Sequence, residues 1–323
     1  MKIAVYASLF FENPMSEHLQ YKGSVTQHNL LGHVKCANAM FRTAKKYFLK
    51  NHDIEFILIT NVSNIEEFGI DTDLINLIKV EYNSITSLQH AHLMKILSIE
   101  FLDTTKYERM YSVETDCIFI NEVVDDDLLP YNMVAQRHWA KTEAGYGRVW
   151  WNTCAFPVEE YVNFDPNTPG IEWVMGNFYG GKSELLKDMM EKTKALHIKW
   201  TDIVNSEGPS FYTGKTHNWP FYALYPEELF LGKYIHENVK DVKLLEGIFD
   251  LEEEIDREKC NAPDGFYCLP GWGVYLRSDR TKQYWLSELK ANESLYPNIT
   301  LAKLLHATKS NFQLLDKVLP YYI

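Results

Sequence analysis

Two hydrophobic rhythms alternate along the first part of the chain, and the switches between them outline the architecture. Ile3 to Tyr6 is a short apolar run of strand character. Val34, Ala37, Phe41, Ala44 and Phe48 then recur at helical spacing, which predicts a helix with one buried face. Ile54 to Thr60 (IEFILIT) is an apolar, partly β-branched run, as expected of a buried parallel strand. Leu77 to Val80 predicts a third strand, Leu93 to Phe101 a second helix, and Met110 to Val113 a fourth strand. Ser183 suits the N-cap of a helix running to Leu196, with Leu186, Met189, Met190 and Thr193 at its apolar positions. Another helix is predicted from Pro226 to Glu237, followed by a strand from Val239 to Leu245. Alternating strands and helices predict an α/β fold, with a mixed, mostly parallel central sheet flanked by helices. Ligands of such sheets sit beyond the carboxyl ends of the strands.

Two stretches lack this rhythm. Asn132 to Asn167 is rich in Trp, Tyr and Pro. From Glu246 the chain turns acidic (Glu252, Glu253, Glu254) and continues as aromatic-rich loops and a polar, partly helical tail. The organisation expected is a domain over residues 1–245, with 246–323 an extension packed on it, its role unassigned.

Composition narrows the function classes. Of the 323 residues, 46% are hydrophobic and 14% aromatic, enough for a sizeable core. A net charge of −12 argues against nucleic acid as a partner, because phosphate backbones are gripped by Lys/Arg patches. The cysteines Cys36, Cys117, Cys154, Cys260 and Cys268 form no CxxC pair, which points to a reducing compartment and no structural zinc. MKIAVYASLF reads as a first strand rather than a signal peptide, and no apolar run approaches a bilayer's thickness. A soluble, cytoplasmic protein with no integral membrane segment is expected.

Four segments could carry chemistry. In YSVETDCIFI, Glu114 and Asp116 stand two apart after an apolar run. Alternate residues of an extended segment point the same way, so the two carboxylates could share a hard divalent cation, which would in turn hold a diphosphate. The plainer alternative is a strand end turning out to solvent, with Asp116 in a turn; the similar triplets Asp71-Thr72-Asp73 and Asp125-Asp126-Asp127 read as solvated loop residues. MGNFYGG (Met175 to Gly181) is either a tight loop before the Ser183 helix or a place where glycines let backbone approach a ligand. In Tyr225-Pro226-Glu227-Glu228 the acids complement a helix dipole, or one of them serves as a carboxylate beside a reacting sugar carbon. Arg137, His138 and Trp139, with Trp150 and Trp151 beyond, offer flat rings beside polar groups, suited to sugar faces or simply to a core.

Taken in order, FRTAKKYFLKNHDIEFILIT, MYSVETDCIF, MGNFYGG and LYPEELFLGKYI resemble the histo-blood-group A/B transferases and α-1,3-galactosyltransferases. The resemblance spans roughly Leu30 to Leu245 with gaps. It implies a GT-A-type fold and a retaining, nucleotide-sugar-dependent glycosyltransferase. Glu114 and Asp116 take the metal and diphosphate positions, with Mn²⁺ or Mg²⁺ as the ion and a metal-independent variant as the alternative. Met175 and Asn177 take positions lining the donor sugar, Glu227 that of the acid contacting it, and Tyr6, Ala7 and Gly180 are grouped with the donor. Glu228 takes the place of the nucleophile or oxocarbenium stabiliser. Tyr225, His138 and Trp139 fall at the acceptor. The implied reaction moves galactose or N-acetylgalactosamine from a UDP-sugar to a galactoside-type glycan, forming an α-1,3 linkage; Asn177 weakly favours galactose. Glu for Asp at residue 114, and Tyr-Pro for Trp-His before the glutamates, depart from the family pattern. The family's membrane stem has no counterpart, as in a bacterial or viral version. Those departures motivate a rival: a nucleotide- or glycan-binding protein without turnover. An inverting enzyme on the same fold is a third possibility. Nothing in the sequence indicates an oligomeric state.

Overall fold

The structure, a computed structural model, describes residues 1–11, 27–82, 88–115, 117–119, 122–137, 174–207, 226–245, 266–269 and 273–276. Its main sheet contains β1 (Lys2–Leu9), β2 (Asp53–Thr60), β3 (Asn76–Lys79), β4 (Arg109–Val113), β6 (Met133–Arg137), β7 (Val174–Lys182) and β8 (Val242–Leu245), in the order β3-β2-β1-β4-β7-β6-β8. β3, β2, β1 and β4 run parallel, β7 is antiparallel to both its neighbours, and β8 is parallel to β6. The α/β class and the mixed, mostly parallel sheet flanked by helices are as the periodicity predicts.

Strand alternation divides the core into two layers. Ile3, Val5, Ala7 and Leu9 of β1 face α1 (Gln27–Tyr47) and pack with Val34, Ala37, Phe41 and Phe48. Ala4 and Tyr6 face the other side, where α2 (Leu88–Leu97), α4 (Ser183–Glu207) and α5 (Pro226–Asn238) contribute Leu93, Met94, Leu186, Met189, Phe230 and Leu231. The short α3 (Asp125–Leu128) lies between β5 (Cys117–Phe119) and β6. None of the described helices is long and apolar enough to cross a membrane.

Three expectations are corrected. MGNFYGG is not a loop but most of β7, buried along its length except at Lys182. Its glycines read as loop residues because they break alternation. They are there for packing, since a Cβ on Gly180 would lie 2.4 Å from the Met110 carbonyl oxygen and 2.7 Å from the Tyr111 Cα. YSVETDCIFI ends its strand at Val113 as expected, but it does not continue as one extended segment past Glu114. β4 ends at Val113, the Cys117 N–H donates to the Glu114 carbonyl at 3.0 Å, and the chain turns into β5. The chain therefore turns at Thr115 instead of staying extended. Finally, the tail supplies strands as well as loops: β9 (Phe266–Leu269) and β10 (Gly273–Leu276) form an antiparallel sheet with β5, in the order β5-β10-β9. The extension is thus hydrogen-bonded to the strand that follows Glu114. Of the two control stretches, Asp71 accepts from the Arg42 guanidinium beside a turn, and Asp125-Asp126-Asp127 form the first turn of α3 rather than a loop.

From β1 the chain builds outward through β2 and β3, then returns to β1's other side as β4. In doubly wound sheets ligands bind at such a reversal, outside the carboxyl ends of the strands, here those of β1 and β4.

Candidate active site

At the carboxyl end of β4 the chain brings together residues from three distant segments. The Glu114 N–H donates to the Asn177 carbonyl at 2.9 Å, tying the end of β4 to β7. Just there β7 is irregular: pairing steps from Ala135 with Tyr179 to Arg137 with Val174, so β7 carries the extra residues. Such a bulge re-aims side chains, and it holds Met175, Gly176 and Asn177. Glu227, in the first turn of α5, lies over the bulge; a Cβ on Gly176 would fall 2.7 Å from Glu227 Cγ and 3.0 Å from its Oε1. Only glycine leaves room for this close approach.

Lys95, from the last turn of α2, closes the group. Its Nζ donates to Glu227 Oε1 at 2.7 Å and also to Glu114 Oε1. The Lys95 carbonyl, in the last turn of α2, accepts from the Tyr179 hydroxyl at 2.8 Å. The Tyr6 hydroxyl sits 3.5 Å from that of Tyr179. His92, one helical turn before Lys95 on the same face, places Nδ1 3.4 Å from Glu227 Oε1. That is close enough for an ion pair when the ring is protonated.

Electrostatics follow from burial and this pairing. Burial alone would raise the Glu227 carboxyl, but the Lys95 ammonium, then His92, outweigh it and hold it well below the usual carboxylate range. Lys95 is the mirror case: burial would lower it, yet Glu114 and Glu227 hold its proton more firmly than usual. One ammonium faces the two carboxylates of Glu114 and Glu227. Among the described residues, Glu114 Oε2, Glu227 Oε2 and both amide atoms of Asn177 are buried without a hydrogen-bond partner. Orphaned polar atoms gathered in one place call for a polar ligand or water.

The predicted residues divide accordingly. Glu114, Asn177 and Glu227 gather around the end of β4; Glu228 follows Glu227 on α5, and both are almost fully buried. Met175 is buried too, but it belongs to the core layer on the α1 side. Tyr6 and Ala7 lie inside β1 with their backbones in the ladders; Tyr6 is fully buried, and burial followed by the neighbouring Tyr179 pushes its hydroxyl well up. They support the site from below. Gly180 serves strand packing. Asp116, His138, Trp139 and Tyr225, and the side chain of Arg137, lie outside the described residues.

As for a metal, Glu114 can offer its orphaned Oε2, and Asp116 lies two residues on; among the described residues no group of three or more His, Cys, Asp or Glu side chains could hold an ion. Lys95 and His92 escaped the sequence reading. The signal was present: a lysine inside LMKIL, flanked by the buried Leu93, Met94, Ile96 and Leu97, needs a counter-charge. Compared with known protein families, the chain matches none, and no curated protein matches it significantly.

Proposed function

We propose that the chain is a retaining α-glycosyltransferase of GT-A-type fold. It moves galactose or N-acetylgalactosamine from a UDP-sugar to a hydroxyl of a galactoside-type glycan, forming an α-1,3 linkage in the cytoplasm. One observation carries the proposal. The three acid- and glycine-bearing segments that resemble the transferase motifs are far apart in sequence, yet they meet at the carboxyl end of β4. The mixed sheet, with its strand-order reversal at β1 and β4, supports the same fold.

In this reading Glu228 faces the anomeric carbon and either attacks it or stabilises the cation formed as UDP leaves. Glu227, kept ionised by Lys95, accepts hydrogen bonds from donor hydroxyls, and Asn177 adds a donor and an acceptor beside it. Glu114, with Asp116, would hold Mn²⁺ or Mg²⁺, which when bound neutralises charge on the diphosphate. His138, Trp139 and Tyr225 are assigned to the acceptor. UDP release from UDP-galactose and UDP-N-acetylgalactosamine, measured without acceptor and with Mn²⁺ or EDTA, tests the proposal, because transferases slowly donate to water. Release from either donor supports it, and the EDTA arm reports whether the ion is needed.

A binding protein without turnover is the second reading. It is favoured by Lys95, which already satisfies one oxygen of Glu114 and one of Glu227. UDP binding with no release from either donor would select it.

A further inference from the structure

The geometry points to Lys95 as the positioning residue of this site: its ammonium gathers Glu114 and Glu227 onto one point and competes with a divalent cation for Glu114. The inference rests on the proposed assignment of Glu114 as a cation ligand. Lys95 is held at both ends, by the two carboxylates at Nζ and by Tyr179 at its carbonyl. A lysine so fixed cannot swing away without leaving two buried carboxylates uncompensated. Its partners lie 19 and 132 residues away in the chain, so this one contact joins α2, the end of β4 and the start of α5.

The competition follows from charge. Any cation reaching the orphaned Oε2 of Glu114 meets an ammonium already seated on Oε1 of the same carboxylate. Like charges a few ångströms apart repel, so Lys95 weakens cation binding at the site it organises. The orphaned Oε2 of Glu227, whose side chain is 1% exposed, and the unpartnered amide of Asn177 are further polar atoms that a ligand could satisfy. A loaded site requires Glu114 to turn partly from Lys95 toward the incoming cation, which frees an ammonium proton for a ligand oxygen.

The test is Mn²⁺ binding to the full chain without nucleotide, followed by electron paramagnetic resonance of the free ion. K95M, checked for folding by circular dichroism, should bind Mn²⁺ about tenfold more tightly than wild type. K95R, which keeps the charge, should stay within about threefold of it, and K95M/E114Q should lose the gain. Unchanged or weaker binding by folded K95M, or a gain that survives E114Q, overturns the inference. Should K95M not fold, ¹⁵N spectra of the wild-type lysine ammonium groups decide. Mg²⁺ should move the Lys95 signal, and a signal unmoved at saturating Mg²⁺ overturns the inference. Donor hydrolysis is read separately, so a chain that binds Mn²⁺ as expected but releases no UDP defeats the transferase proposal and leaves Lys95's role standing.

Discussion

Two acidic stretches flank β5, and they do opposite things. Before it, Glu114 keeps only 13% of its side chain exposed, pairs with Lys95, and sits at the open end of the sheet beside Glu227. After it, Asp125 keeps 51% of its side chain exposed and pairs with His52 at 2.9 Å, while Asp127 accepts from the Val124 N–H at the start of α3. The second stretch completes a helix start in water, where pairs contribute little. The first lies where water is scarce, so each charge must find a counter-charge or a ligand. Residue type does not separate the two; position relative to the sheet, and one lysine of α2, do.

Removing that lysine should have the largest effect on stability. K95M leaves buried carboxylates unpaired and should lower the unfolding free energy in urea by roughly 3–5 kcal/mol. Under the proposed function, Glu228→Gln should cut donor turnover by at least about 100-fold, roughly 2.7 kcal/mol. Normal turnover by a folded E228Q protein would remove Glu228 from its role. Gly176→Ala forces a methyl group within 2.7 Å of Glu227 Cγ. It should cost about 1–3 kcal/mol and reduce turnover together with stability.

Acid should separate the two stretches as well. The Glu227 carboxyl is depressed from 4.5 in the folded state, so its contribution is fully present above that value. It is lost as pH falls below 4.5 toward the depressed folded value, where the carboxylate finally takes up a proton. Glu227→Gln should therefore flatten the acid limb of the stability curve in that range, as seen in urea melts at stepped pH. The smallest effect belongs to the other stretch: Asp126→Asn, on the exposed first turn of α3, should change stability by no more than about 0.5 kcal/mol and leave UDP release untouched. If D126N matched K95M, the contrast between the stretches would fail.

Much of the frame is legible in the sequence. The helical spacing from Val34 to Phe48, the IEFILIT strand, and the helix starting at Pro226 appear within a few residues of where periodicity puts them. These elements bury a face of constant chemistry, and a repeating face leaves a repeating pattern. β7 left none: buried along nearly its whole length and carrying Gly176, Gly180 and Gly181, it presents neither alternation nor bulk. Its glycines answer to the neighbouring β4 and β6 backbones, contacts that no local pattern encodes. The strand end at Val113 was legible, but not that the apolar run resuming at Cys117 joins a different sheet.

By itself, then, the sequence determined the α/β class, the acids at the end of the fourth strand, and the glutamate pair at a helix start, since each depends on residues close together in the chain. Only the tertiary structure decided that Lys95 stands between Glu114 and Glu227, and that Gly176 makes room for Glu227. It also withdrew Tyr6 and Gly180 into the supporting core. The physical reason is separation: a buried charge must be compensated by whatever the fold brings within a few ångströms, and here that partner is as far as 132 residues away.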